Sequence, residues 1–323
     1  MEGYSVKNFR SFFEAVVKEV QKQVVGQDDI VRDVLIGILS GGNVLMEGAP
    51  GLGKTVMVKS FAKALDLPFS RIQFTPDLMP VDITGTFIIN KSERGITFDF
   101  QEGPIFSSLI LADEINRATP KTQSAMLEAM QEKTVTAGRN TFRLPEPFFV
   151  LATQNPLEME GTYRLPEAQL DRFMLKLKIG LPEKEDIFKI LDLTVNGHER
   201  QDIKKQASRE EILEAQKHAI QVPMAANVRE KAVRIMLETH PDRTSVPMVK
   251  EYVRCGASPR GVQSTILGAK VLALSEGRFN AALEDIVRLA YPALRHRIFL
   301  NFKAAAERVD ADMILGEVVR KVK

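Results

Sequence analysis

Between residues 9 and 24, Phe9, Phe12, Phe13, Val16, Val17 and Val20 recur at helical spacing, which predicts an amphipathic helix packed on a larger body. From Asn43 the texture changes to short apolar runs at 43–46, 72–74, 109–112 and 148–153, with a fifth at 174–179. These short, mainly apolar runs suit parallel strands covered on both faces. Helical patterns at 54–65 and 121–131 lie between them, so the alternation predicts a three-layer α/β domain.

Two stretches break the alternation. Residues 86–90 and 96–100 alternate apolar and polar around Lys91-Ser92-Glu93-Arg94-Gly95, and residues 134–144 turn at Ala137-Gly138-Arg139-Asn140. Both predict β-hairpins inserted into the core, near 86–100 and 134–144. After Pro182 helical patterns take over, at 226–239, 260–274 and 285–294, with Pro223, Pro241, Pro247, Pro259 and Pro292 as punctuation. The expected organisation is an α/β core over 1–190 that includes the N-terminal helix, then a smaller helical domain over 191–323, with the boundary near 182–200.

Composition adds exclusions. The 323 residues carry 44 Lys and Arg against 42 Asp and Glu, a formal charge of +2 that by itself implies no nucleic-acid surface. Cys255 is the single cysteine, which excludes an intrachain disulfide, and His198, His218, His240 and His296 are too scattered to spell a metal-ligand pattern. With no leader pattern and no apolar stretch of membrane-spanning length, the expectation is a cytoplasmic protein.

The chemistry begins at Gly48-Ala49-Pro50-Gly51-Leu52-Gly53-Lys54-Thr55, which matches G-x-x-x-x-G-K-[ST] between a strand pattern and a helix pattern. In such a loop glycines let backbone N–H groups close around phosphate oxygens, the lysine reaches the β- and γ-phosphates, and the hydroxyl can ligate Mg²⁺. The run 109–112 ends in Asp113-Glu114; beside a phosphate loop the first carboxylate would hold the magnesium shell and the second could polarise an attacking water. Alone, an acidic strand end is more often a solvated loop start. Asn155 leaves the run 148–153 at the same sheet edge, where it could bond the γ-phosphate or the lytic water, or serve as a turn former before Pro156. Arg172 in Asp171-Arg172-Phe173 and Arg260 in Ser258-Pro259-Arg260-Gly261 read, from spacing alone, as surface ion-pair partners.

Together with Ile115-Asn116-Arg117-Ala118, Ala152-Thr153-Gln154-Asn155-Pro156, the segment from Leu165 to Phe173 and Gly256-Ala257-Ser258-Pro259-Arg260, these motifs occur in an order that resembles the MoxR-type AAA+ ATPases, over nearly the whole chain from Val25-Gly26-Gln27 onward. The resemblance implies an αβα P-loop sandwich with parallel strand order 5-1-4-3-2 and an all-α lid, related to magnesium-chelatase-type ATPases. Gly48 to Thr55 looks like Walker A and Asp113-Glu114 like Walker B, with Glu114 as base. Asn155 is similar to sensor 1, Arg172 to an arginine finger acting on a neighbouring subunit's nucleotide, and Arg260 to sensor 2, with its subunit of action left open. Gly26 and Gln27 correspond to the segment near the adenine, and the hairpins resemble the helix-2 insert and the pre-sensor-1 hairpin. In one departure, Val81 stands where the family commonly has serine.

The implied cofactors are ATP and Mg²⁺, and the implied partners are other copies of the chain in a ring, taken as a hexamer, and client proteins such as von Willebrand factor A domain proteins. The implied role is chaperone-like remodelling. A nucleic-acid client would use Lys91, Arg94 and Arg139 at the hairpin tips, a modest patch with no aromatic residue for base stacking. A non-hydrolysing nucleotide switch would have no need of Glu114, Asn155 and Arg172 together.

Overall fold

The computed structural model describes residues 6–92, 95–156, 162–195 and 201–323. Glu93 and Arg94 at the first hairpin tip, the Lys91 side chain, His198 and part of the expected domain boundary lie outside the described residues. Helices α1 (Val6–Gln21) and α2 (Asp28–Leu39) precede strand β1 (Val44–Glu47) and helix α3 (Lys54–Ala64). Then come β2 (Phe69–Gln73), the short α4 (Pro80–Thr84) and a hairpin of β3 (Gly85–Ser92) and β4 (Gly95–Glu102). Strand β5 (Leu109–Asp113), α5 (Pro120–Glu132), a second hairpin of β6 (Thr134–Ala137) and β7 (Asn140–Arg143), and β8 (Phe149–Gln154) follow. A single turn, α6 (Glu167–Leu170), leads into β9 (Leu175–Lys178) and α7 (Lys184–Thr194).

Five of these strands form one sheet in the order β2-β5-β8-β1-β9, all parallel. Counted in chain order these are strands 2-3-4-1-5, so the order read from the other edge is the expected 5-1-4-3-2. The apolar runs reflect burial on both faces: Val44 and Met46 of β1 join one core cluster and Leu45 the other, and Leu109 and Leu111 part from Ile110 and Ala112 in the same way. The first cluster lies under α1, α2 and α3; the second lies under α5 and the hairpin roots.

The two hairpins are fastened to each other. Phe142 of β7 stacks on Phe100 of β4, with ring centroids 4.1 Å apart and planes 11° apart, and Phe87 of β3 packs against both rings. At the root of the first hairpin the backbone is pinched: a Cβ on Gly103 would lie 2.5 Å from the nitrogen of Gly85, which itself has φ +94°. Farther out, on the same face as Phe87 and Phe100, Ile89, Ile96 and Phe98 are exposed.

Beyond residue 200 the chain is mainly helical: α8 (Arg209–Gln221), α9 (Ala226–Leu237), α10 (Pro247–Tyr252), α11 (Pro259–Ser275), α12 (Leu283–Leu294), α13 (Phe302–Ala306) and α14 (Ala311–Val322). Pro247 and Pro259 open α10 and α11 as first-turn residues, where a missing N–H costs nothing. Pro292 does not punctuate; it lies within the last turn of α12. The helices also enclose a ladder missed in the sequence, β10 (Val253–Cys255) against β11 (Phe299–Leu300), too short for an alternation signal.

Candidate nucleotide site

The loop after β1 takes its shape from two glycines in the left-handed region, Gly51 at φ +83° and Gly53 at φ +79°. A Cβ at either would meet no protein atom within 4 Å, so at both positions it is the left-handed backbone, not crowding, that favours glycine. Gly48 is glycine for a different reason. Its Cβ would come within 2.8 Å of the Ile179 carbonyl oxygen, and its N–H is committed to Gln154 O at 3.2 Å. Ala49, Pro50 and Leu52 complete the turn, with Leu52 leaning on the first core cluster.

Lys54 and Thr55 open α3, where free backbone N–H groups and the helix dipole favour anions. Lys54 Nζ donates to Gly48 O at 2.6 Å, folding the ammonium back over the loop. Burial holds its pKa below the ordinary lysine value, opposed by the charges of Asp113, Glu114 and Glu47. Those carboxylates are therefore close enough to be felt.

Asp113 and Glu114 end β5 beside this loop. Asp113 is buried; its Oδ1 accepts from the Thr153 hydroxyl at 2.6 Å, and its Oδ2 accepts from Arg71 Nε at 3.0 Å and Nη2 at 2.7 Å. Glu114 has φ +57°, an uncommon conformation for a residue with a side chain, and its N–H is held by Thr153 Oγ1 at 2.8 Å. Its Oε2 accepts from Gln73 Nε2 at 3.0 Å and lies 3.3 Å from Arg117 Nε. Asn155 is buried at the end of β8, at the same edge of the sheet.

Among the described residues no group of three His, Cys, Asp or Glu could hold a metal alone. A hydroxyl at Thr55 and a carboxylate at Asp113 beside an open phosphate cradle are the hard oxygen donors that suit Mg²⁺ completed by phosphate and water. The residues present fit the group.

Gly26 and Gln27 lie across from the segment after β9. Gly26 has φ +72°, and a Cβ there would meet Asp186 and Pro182 at 2.9–3.0 Å; the buried Gln27 amide donates to Gly180 O at 2.9 Å. Val81 is exposed in α4.

Arg172 and Arg260 are elsewhere. Both line a cavity of about 300 Å³ with Ser40 to Asn43 and Met174, the residues that enter β1 and β9. This is the N-terminal edge of the sheet, separated from the phosphate loop by the length of β1, roughly 13 Å for four residues. The Arg172 guanidinium makes no hydrogen bond or ion pair with a described residue. Arg260 Nη1 lies 3.7 Å from Asp171 Oδ2. Asp171 Oδ1 accepts from Ser258 Oγ at 2.6 Å and from the buried Arg297 Nε at 2.8 Å, so one carboxylate ties α11 and α12 to the start of β9.

Arg71, Gln73, Thr153, Asp171 and Arg297 were not singled out from the sequence as site residues. Thr153 offered a signal, a hydroxyl within an apolar strand; Arg71 and Gln73 sit two apart on one face of β2, which shows only once that strand is placed beside β5.

Residues 43–175 match the family described as ATPase family associated with various cellular activities (AAA), and residues 247–318 match the AAA lid domain. The chain is 41% identical over 310 residues to Chaperone MoxR1 of Mycobacterium tuberculosis, covering 96% of this chain and 81% of that protein. It is 40% identical over 309 residues to YeaC of Bacillus subtilis, covering 95% and 93%. A crystal structure of a Cytophaga hutchinsonii protein superposes with a TM-score of 0.91 at 41% identity, covering 98% of this chain and 96% of the other. With the sheet order, the lid and these relatives in agreement, the chain belongs to the MoxR-type AAA+ ATPases.

Proposed function

We propose that this chain hydrolyses ATP with Mg²⁺ at a site completed by a neighbouring copy, and uses the cycle to remodel client proteins. Within one chain, the backbone N–H groups of the loop from Gly48 to Thr55 bind the phosphates and Lys54 neutralises them. Thr55 and Asp113 would hold Mg²⁺, which would supply charge neutralisation on the phosphates. Glu114 accepts the proton of the attacking water, and Asn155 orients that water or the γ-phosphate. Arg172 and Arg260 stabilise the charge that develops on the neighbour's γ-phosphate.

One observation carries the shared-site reading. The two arginines share a cavity at the opposite sheet edge from their own phosphate loop, and Arg172 has no partner among the described residues. An arginine placed so cannot serve its own loop without crossing the sheet, whereas a head-to-tail neighbour would bring its loop to that face; such contacts form rings where the rotation between copies closes. The exposed ridge of Ile89, Ile96 and Phe98 on the first hairpin is an apolar surface that suits a protein client.

The test is complementation. Glu114→Gln and Arg172→Ala chains, each inactive alone, are mixed and turnover is followed. In a shared site, interfaces pairing the intact Glu114 of one chain with the intact Arg172 of the other regain activity. Mixtures as inactive as the separate variants, under conditions where both assemble, would remove the shared-site reading.

A further inference from the structure

We propose that Arg71 sets how tightly this site takes its divalent cation, by holding a competing positive charge on the Asp113 carboxylate. The inference rests on the reading of Asp113 as the cation's carboxylate.

Arg71 is the third residue of β2, and its Cα pairs with Leu111 of β5, two residues before Asp113. The parallel register lets the side chain run forward to the strand end, where Nε and Nη2 both bond Oδ2. Thr153 already occupies Oδ1. A carboxylate oxygen accepts at about two lone-pair positions, so Oδ2 is filled by the guanidinium and Oδ1 keeps one position free. A cation, or a water in its shell, reaches Oδ2 only by displacing a charge-assisted bond, and it then sits beside a like charge.

The guanidinium is not locked in place. The Arg71 side chain is 46% exposed against 11% for Asp113, and Nη2 has a second anchor at Gln73 Oε1, 2.5 Å away. It can leave the carboxylate without losing every partner. A purely structural ion pair would be expected to help the site when present. A competitor weakens cation binding, so its removal must tighten it, and impaired folding does not produce that sign. A weakened cation site also eases release of the cation with the product nucleotide.

The experiment uses the full chain and a fluorescent N-methylanthraniloyl ADP. Its affinity is measured in EDTA, and Mg²⁺ is then titrated to find the concentration that half-saturates the added binding. In Arg71→Gln the affinity in EDTA stays within about twofold, and the Mg²⁺ midpoint falls about tenfold, the scale expected for removing one nearby like charge from a divalent ion in a water-filled site. Arg71→Lys, which keeps the charge but loses the two-pronged bond, falls between. A midpoint that is unchanged or raised in Arg71→Gln, with thermal unfolding showing a folded protein, overturns the proposal. Asp113→Asn separates the premise from the inference. A midpoint unmoved in that variant would show that Asp113 does not face the cation, and both would fail.

Discussion

The hydroxyl of Thr153 donates to Oδ1 of Asp113 at 2.6 Å, and Thr153 Oγ1 in turn accepts from the backbone N–H of Glu114 at 2.8 Å. One buried side chain at the end of β8 thus fixes both acidic residues at the end of β5. Thr153→Val keeps the shape and removes both bonds, leaving buried polar groups unmatched at a cost of about 1–3 kcal/mol. The expected result is a lower melting temperature and turnover reduced by about tenfold or more, with Thr153→Ser recovering most of both. A Thr153→Val protein with wild-type turnover would show that this coupling plays no part in the chemistry.

Gly53→Ala tests the left-handed backbone of the loop. The left-handed backbone at residue 53 disfavours a side chain by about 1–2 kcal/mol, while the added methyl meets no protein atom within 4 Å. Stability is therefore expected to fall only modestly. Nucleotide affinity, measured by calorimetry, is expected to fall by about tenfold or more, because the methyl disfavours the backbone conformation that turns the loop's N–H groups toward phosphate.

The junction between β9 and the lid is expected to weaken in acid. His296 is buried, its Nε2–H donates to Phe173 O at 2.9 Å, and its Nδ1 has no partner among the described residues. Burial first, and Arg297 next, push its pKa well below 6.5. The unfolded chain therefore binds more protons than the folded one in this range. The stabilising contribution is complete above about pH 6.5 and declines as pH falls, by at most about 1.4 kcal/mol per pH unit, until the folded-state pKa is passed. His296→Gln can keep the bond to Phe173 O without titrating, so its melting temperature should change less between pH 6.5 and 5 than that of the wild type.

Phe142→Ala is expected to unfasten the hairpins without reaching the sheet. It removes a ring stacked on Phe100 at 4.1 Å, an aromatic contact of about 0.5–1.5 kcal/mol beyond its burial. Amide hydrogen exchange should quicken in β3, β4, β6 and β7 and stay unchanged in β1, β5 and β8. Equal acceleration across all of them would indicate a global loss of stability.

Much of the fold was legible because its signals are local. Runs such as Leu109 to Ala112 are apolar at consecutive positions only where both faces are covered, and the loop from Gly48 to Thr55 carries its own spacing. The roles of Arg71 and Gln73 were not legible, because a short strand with two polar residues acquires meaning from its neighbours. Only the order β2-β5-β8 brings Arg71 to Asp113 and Thr153 to both acidic residues. Arg260 shows the same limit. Its motif marks the start of a lid helix, but Asp171 and Arg297 decide that this helix docks at the sheet's far edge, beside Arg172. The small ladder of β10 and β11 escaped notice because two or three residues carry no periodicity.

The aromatic clasp between the hairpins closes a loop through the sheet. Each hairpin returns along the backbone into a strand bearing candidate chemistry: β4 ends at Glu102 and the chain re-enters the sheet at Leu109 toward Asp113, while β7 ends at Arg143 and the chain re-enters at Phe149 toward Thr153. Phe87, Phe100 and Phe142 join the hairpins to each other, and the Thr153 hydroxyl joins the far ends of the two adjacent strands into which they lead. The hairpins and strands thus form a closed circuit of contacts that runs from the exposed ridge to Asp113 and Glu114.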